Sequence, residues 1–197
     1  MRIVCAEQAL VEAELVGGLL GCPSCRGGVL GPWGHARERV LRCAAGDRRF
    51  RPRRARCRGC RRTHVLLPLT VLVRRQDEIA VIGAAIEAKV LAGQGFRRIA
   101  EQLGASPITV RGWLRRFAER AELIRSHFTR CAVALDSELG PVLPAGSGVA
   151  DALEAIAVAV RAWVLRFGPA DRWPVVSWLS GGLLLQHELT LGGLVVS

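Results

Sequence analysis

Cys22-Pro23-Ser24-Cys25 and Cys57-Arg58-Gly59-Cys60 are two Cys-x-x-Cys pairs on either side of a stretch loaded with arginine. Such a turn places two sulfurs on one side of a tight backbone loop, and two turns complete a tetrahedral shell for zinc, with bonds of about 2.3 Å. The 31 residues between Cys25 and Cys57 exceed the spacing of a compact finger and suit a ribbon, in which β-strands separate two knuckles. Strands are expected at Arg39–Cys43, Phe50–Arg56 and Thr63–Leu67. Pro23 fits its turn by fixing φ, and Gly59 by permitting a positive φ. The competing reading is a redox dithiol, but redox motifs come singly and near a βαβ pattern that this sequence lacks. A closed shell of four thiolates leaves no position for substrate or activated water, so the expected zinc is structural. Cys43 is expected as a packed thiol and His64 as a strand residue beside the site, with both as substitute ligands. Cys5 and Cys131 have no partner at ligand spacing.

Charge sharpens this reading. The chain of 197 residues carries 28 basic against 17 acidic residues, a net +11. Residues 1–76 hold 16 arginines against 5 acidic residues, so the whole excess lies in the first part. Lys89 is the only lysine and tyrosine is absent, a bias that a GC-rich genome would produce. That bias explains arginine in place of lysine but not the scarcity of carboxylates. A charge confined to one module is the footprint of a polyanion partner, because neutralising phosphates releases condensed counterions. Arg53, Arg54 and Arg56 are the expected phosphate contacts on the ribbon.

From Asp77 the apolar residues take helical spacing, with Ile79, Ile82, Ile86 and Val90 on one face and Gly93 and Gly95 after it. A second short helix is expected over Phe96–Leu103, and Gly104 then allows a sharp turn. Ser106 as N-cap and Pro107 at the first helical position start a third helix, whose inner face is Val110, Trp113, Leu114 and Phe117. Small Ala100, the Gly104 turn and Val110 packing back on the first pair predict a helix-turn-helix. If the third helix enters a major groove, its early residues Ser106, Thr109, Arg111 and Arg115 reach base edges, with Arg111 matched to guanine. Arg97, Arg98 and Arg116 are expected on phosphates. A trihelical unit used only for packing is the plainer alternative.

Residues Asp136–Gly148 read as a linker, rich in glycine and proline. The helix expected at Val149–Phe167 carries an apolar stripe, and Trp173–Leu185 is almost wholly apolar. This tail is expected to pack on the protein's own core, with a homodimer as the alternative. The divisions are thus an N-terminal segment (1–19), a zinc ribbon (20–75), a helix-turn-helix domain (76–135), a linker (136–148) and a packing or dimerisation segment (149–197). The fold class is mainly α with a small β zinc ribbon in front. Glu7, Glu12 and Glu14 stand where a leader would be basic, and no apolar stretch reaches spanning length, since Asp151, Glu154, Arg161 and Arg166 interrupt the most hydrophobic helix, so the expected place is the cytoplasm, at the nucleoid.

These residues resemble the zinc-ribbon plus helix-turn-helix front end of bacterial insertion-sequence transposases and related short actinobacterial proteins. The matching elements are Cys22-Pro23-Ser24-Cys25, the basic run into Cys57-Arg58-Gly59-Cys60, Thr63-His64, Leu67-Pro68 and Gly95 through Phe117, covering roughly residues 20–120. The resemblance implies binding of double-stranded DNA, at element ends or an operator, with transposition proteins as partners. It stops before the catalytic domain. Strand transfer needs three carboxylates around two metal ions, whereas Asp136, Asp151, Glu154 and Asp171 show no such arrangement, so no enzyme is expected. Two rivals remain: an RNA-binding or ribosome-associated zinc ribbon, and a truncated transposase with residual activity. Single-strand readers need stacking platforms, and only Trp33 and Phe50 offer them on the ribbon.

Overall fold

The computed structural model describes residues 1–138, 142–187 and 189. Gly140 and Pro141 of the expected linker, and residues 190–197 of the tail, lie outside them. Pro52 has no backbone N–H to give to a ladder, and it splits the expected strand Phe50–Arg56 in two. The chain instead forms β1 (Arg2–Val4), α1 (Gln8–Val16), β2 (Leu30–His35), β3 (Arg39–Cys43), β4 (Gly46–Phe50), β5 (Arg53–Cys57) and β6 (Thr63–Pro68). β3 and β4 pair as a separate two-stranded hairpin, and the other strands form a sheet in the order β1-β6-β5-β2. β1 runs parallel to β6, while β6–β5 and β5–β2 are antiparallel.

Along β5 the pleat alternates, burying Ala55 and Cys57 and leaving Arg54 and Arg56 half-buried on the other face. Ala55 and Cys57 join Val4, Val11, Leu15, Leu20, Leu30 and Leu66 in a small core of eight buried residues among those described. α1, which the sequence reading missed, lays Val11 and Leu15 on this core. Arg53 anchors α1 to the sheet, its Nε donating to Glu12 Oε1 at 2.6 Å and its Nη1 to the Gly34 carbonyl at 2.6 Å.

The helices are α2 (Ile79–Val90), α3 (Phe96–Gln102), α4 (Pro107–Ala118), α5 (Ala121–Leu135), α6 (Gly148–Phe167) and α7 (Arg172–Leu179). α2 begins at Ile79 and not at Asp77, because Asp77 is buried and bound to Arg42 Nη1 at 2.6 Å while Glu78 stays extended. Between α3 and α4 the backbone turns through Gly104 at φ 59°, and Ser106 Oγ accepts the Thr109 N–H at 3.5 Å. α2 is buried on nearly all sides, and one apolar cluster unites it with α3 through α7. The described part of the tail is therefore packed into the protein's own core. Gly83 on α2 makes this possible, since a Cβ there would lie 1.9 Å from the Trp173 indole of α7. A third cluster, Ile3, Leu67 and Val73 with Trp178 and Leu183, joins the sheet to the end of α7. No helix among the described residues is long and apolar enough to cross a membrane.

His127 of α5 is fully buried in this helical core. Its Nε2 lies 3.0 Å from the Leu179 carbonyl, and its Nδ1 has no partner among the described residues. The bond to Leu179 requires the proton on Nε2, and burial holds the pKa below the ordinary histidine value. The folded pKa lies below the unfolded one, so stability is complete above about pH 6.5 and falls as the pH drops through that value. Denaturant midpoints should therefore decrease from pH 7 toward pH 5, and His127→Leu should flatten that decrease. An unchanged slope in the variant would place the pH sensitivity elsewhere.

Candidate metal centre and basic surfaces

The first knuckle lies in the loop before β2, and the second at the tip of the β5–β6 hairpin. Cys22 N–H donates to the Gly28 carbonyl at 2.7 Å, which folds the first loop, and Arg58 N–H donates to the Val29 carbonyl at 2.8 Å, which ties the knuckles together. The four sulfurs lie within 4.8 Å of one another. Cys22 Sγ is 3.7 Å from Cys60 Sγ, and Cys25 Sγ is 3.6 Å from Cys57 Sγ. A tetrahedral ion with bonds of about 2.3 Å separates its sulfurs by about 3.8 Å. The cluster thus fits a metal ion, and an all-thiolate shell is consistent with zinc.

The backbone prepares the sulfurs for charge. Ser24 N–H donates to Cys22 Sγ at 3.3 Å and Cys60 N–H to Cys57 Sγ at 3.4 Å. Burial opposes ionisation of Cys57, but the Cys60 amide and the neighbouring thiols outweigh it and bring that thiol down to about 7. Hydrogen bonding to Cys60 and Cys57, together with burial, pushes Cys25 up to about 12. Four thiols this close do not all ionise without a cation among them, so metal loading releases protons.

Gly59 does not supply the positive φ expected of it; Arg61 adopts it instead, at φ 63°. The glycine the site needs is Gly28, where a Cβ would stand 2.5 Å from Cys25 Sγ and 2.6 Å from Cys57 Sγ. Nothing in the sequence marks it apart from nearness to the knuckle. His64 lies beside the cluster, with Nε2 3.5 Å from Cys22 Sγ. Burial, then the chain's amino group, Arg62 and Arg2, hold its pKa below the ordinary value. Cys43 is half-buried, and Cys131 is fully buried, its thiol pushed up to about 11 by that burial.

No family model matches the chain, and neither does any curated protein or solved structure. The likeness to transposase front ends rests on the order of the motifs alone.

The arginines of the ribbon divide into two groups. Arg42, Arg48, Arg49 and Arg53 pair with Asp77, Glu78, Glu38 and Glu12. Arg54, Arg56, Arg58, Arg61 and Arg62 have no carboxylate partner among the described residues. Arg53 is thus committed to Glu12, while Arg54 reaches Thr63 Oγ1 at 3.5 Å and Arg56 lies 4.5 Å from the Trp33 ring centroid. On the helices, Arg97 and Arg98 are exposed on α3, and Arg111 is exposed on α4. Ser106 is occupied as the cap of α4. Arg115 lies 3.7 Å from Glu119, and Arg116 donates to the Gly112 carbonyl at 3.1 Å. Thr109, Arg111, Arg115 and Arg116 share one open groove with Arg42, Arg74 and Arg75 of the β3 hairpin and the connector. Composition could not reveal these last three as neighbours of α4.

Proposed function

We propose that this chain is a zinc-stabilised, non-catalytic protein that binds duplex DNA sequence-selectively, using α3, the Gly104 turn and α4 as a helix-turn-helix. The observation that carries the reading is the groove along α4, where, among the described residues, six arginines face a single carboxylate, Asp77. Like charges gathered this way repel one another unless something anionic lies between them. Arg75 shows the strain of that arrangement: burial, then the Arg116 charge, lower its pKa. A DNA backbone entering the groove would relieve it, with Arg74 and Arg116 on phosphates and Thr109 and Arg111 at base edges. Ile108, 84 % exposed at the start of α4, suits a thymine methyl.

Zinc at Cys22, Cys25, Cys57 and Cys60 would hold the ribbon, and Arg54 would add phosphate contact there. A place at the nucleoid follows from such binding, whether the site is an operator or the end of a mobile element.

Selection from a random duplex library with the zinc-loaded protein tests this. An enriched motif is expected, and its symmetry reports monomer or dimer; recovery with no enriched motif would defeat the reading. Arg111→Ala should lose about 1–3 kcal/mol on the selected sequence and relax its preference. Arg54→Ala should weaken all sequences alike and reduce the salt slope by about one. Equal losses from both variants on selected and random DNA, measured by fluorescence anisotropy across a salt series, would refute this division.

A further inference from the structure

Trp33 stands 49 % exposed on the edge strand of the sheet. Its position is built into the pairing. Pro32 faces Ala55 and His35 faces Arg53, so β2 carries one extra residue over that interval, and Gly34 takes φ 74° within it. A bulge of this kind bends its strand and re-aims a side chain. Here the re-aimed stretch holds Trp33, which lines an open cleft of about 870 Å³ with Arg56, Arg61, Arg62 and His64, beside the metal knuckles.

No carboxylate among the described residues lines this cleft. The Arg56 guanidinium lies over the Trp33 ring, 4.5 Å from its centroid, while its Nε donates to the Arg61 carbonyl at 3.0 Å, so the cation is held on one face of the half-exposed indole and a base would stack on the other. Arg61 is in the left-handed region, which L-residues other than asparagine and aspartate enter rarely and which is often a feature of functional sites. An aromatic face bordered by cations with no carboxylate partner among the described residues matches one ligand chemistry, a base with its phosphate. In a duplex the faces of interior bases are covered by their neighbours, so the cleft favours a base that is not stacked in one.

We propose that the cleft over the metal centre binds an unpaired nucleotide of single-stranded nucleic acid, stacking its base on Trp33 and holding its phosphates with Arg56, Arg61 and Arg62. The site is separate from the groove along α4 and does not depend on duplex reading there.

The test uses the zinc-loaded full chain and fluorescence anisotropy with labelled oligo(dT), oligo(rU) and a duplex. Trp33→Ala should weaken both single strands by about tenfold, the worth of one base–aromatic stack, with duplex affinity unchanged and zinc content full. Trp33→Phe should recover most of the loss. Whichever of oligo(dT) and oligo(rU) binds more tightly supports the site and identifies its strand. Arg111→Ala should leave oligo(dT) binding intact, so failure of the duplex reading would appear separately, as a library without a motif. Single-strand binding that is absent from the wild type, unchanged in Trp33→Ala, or lost equally with duplex binding overturns the proposal.

Discussion

Stripping the metal with a strong chelator is expected to unfold the ribbon and leave most of the helical circular dichroism in place. The core beneath the knuckles holds eight buried residues among those described, Cys57 one of them, with Cys22, Cys25 and Cys60 packed at its edge. So small a core rarely folds without a staple, whereas a structural zinc contributes on the order of 10 kcal/mol. The helices have their own extensive core around α2. Cys57→Ser should reproduce the effect of the chelator, because Cys57 is both one of the four clustered sulfurs that could hold the ion and a fully buried core residue. Gly28→Ala should do so in part, by forcing apart the sulfurs of Cys25 and Cys57. Zinc content by mass spectrometry and amide dispersion by NMR check the outcome. A Cys57→Ser protein with full zinc content and unchanged ribbon resonances would remove the metal assignment.

The second large effect is expected at Gly83. A glycine inside a helix costs about 1 kcal/mol relative to alanine, so Gly83→Ala on an open helix face would stabilise the protein. Here the new methyl would meet three atoms of the Trp173 indole between 1.9 and 2.3 Å. Trp173 is itself buried between α2 and the rest of the core. Overpacking of this kind costs about 1–3 kcal/mol, and at about 2–4 °C per kcal/mol for a chain of this size the melting temperature should fall by several degrees. In a Trp173→Leu background the sign should reverse. A melting temperature equally lowered by Gly83→Ala in both backgrounds would show that the indole is not the cause.

What the sequence disclosed was local. Two Cys-x-x-Cys turns and the Ser106-Pro107 helix start depend on residues within a few positions, and the structure has the four sulfurs together and α4 beginning at Pro107. What it concealed depends on distant partners. Arg53 reads as one more arginine until Glu12, 41 positions away, is brought to it. Gly83 reads as a weak spot in a helix until Trp173 arrives from α7. The strand expected over Phe50–Arg56 is divided for a local reason, the missing N–H of Pro52. α1 was missed because it places just Val11 and Leu15 in the core, too faint a stripe to read among its charged neighbours.

The Arg42 backbone is bonded on both sides of Asp77: its N–H donates to the Gln76 carbonyl at 2.8 Å, and its carbonyl accepts the Glu78 N–H at 2.8 Å. With the Arg42–Asp77 ion pair, these bonds fasten the β3 hairpin to the start of α2, and the Val73 N–H held by the Gly182 carbonyl at 2.9 Å adds a second fastening. Two modules on a slack tether lose freedom each time both engage a ligand, and they tolerate many spacings between their sites. Two modules fastened this way act as a caliper: the distance between their jaws is fixed when the chain folds, and under the proposed DNA reading a target would be accepted or refused by its length as well as by its letters.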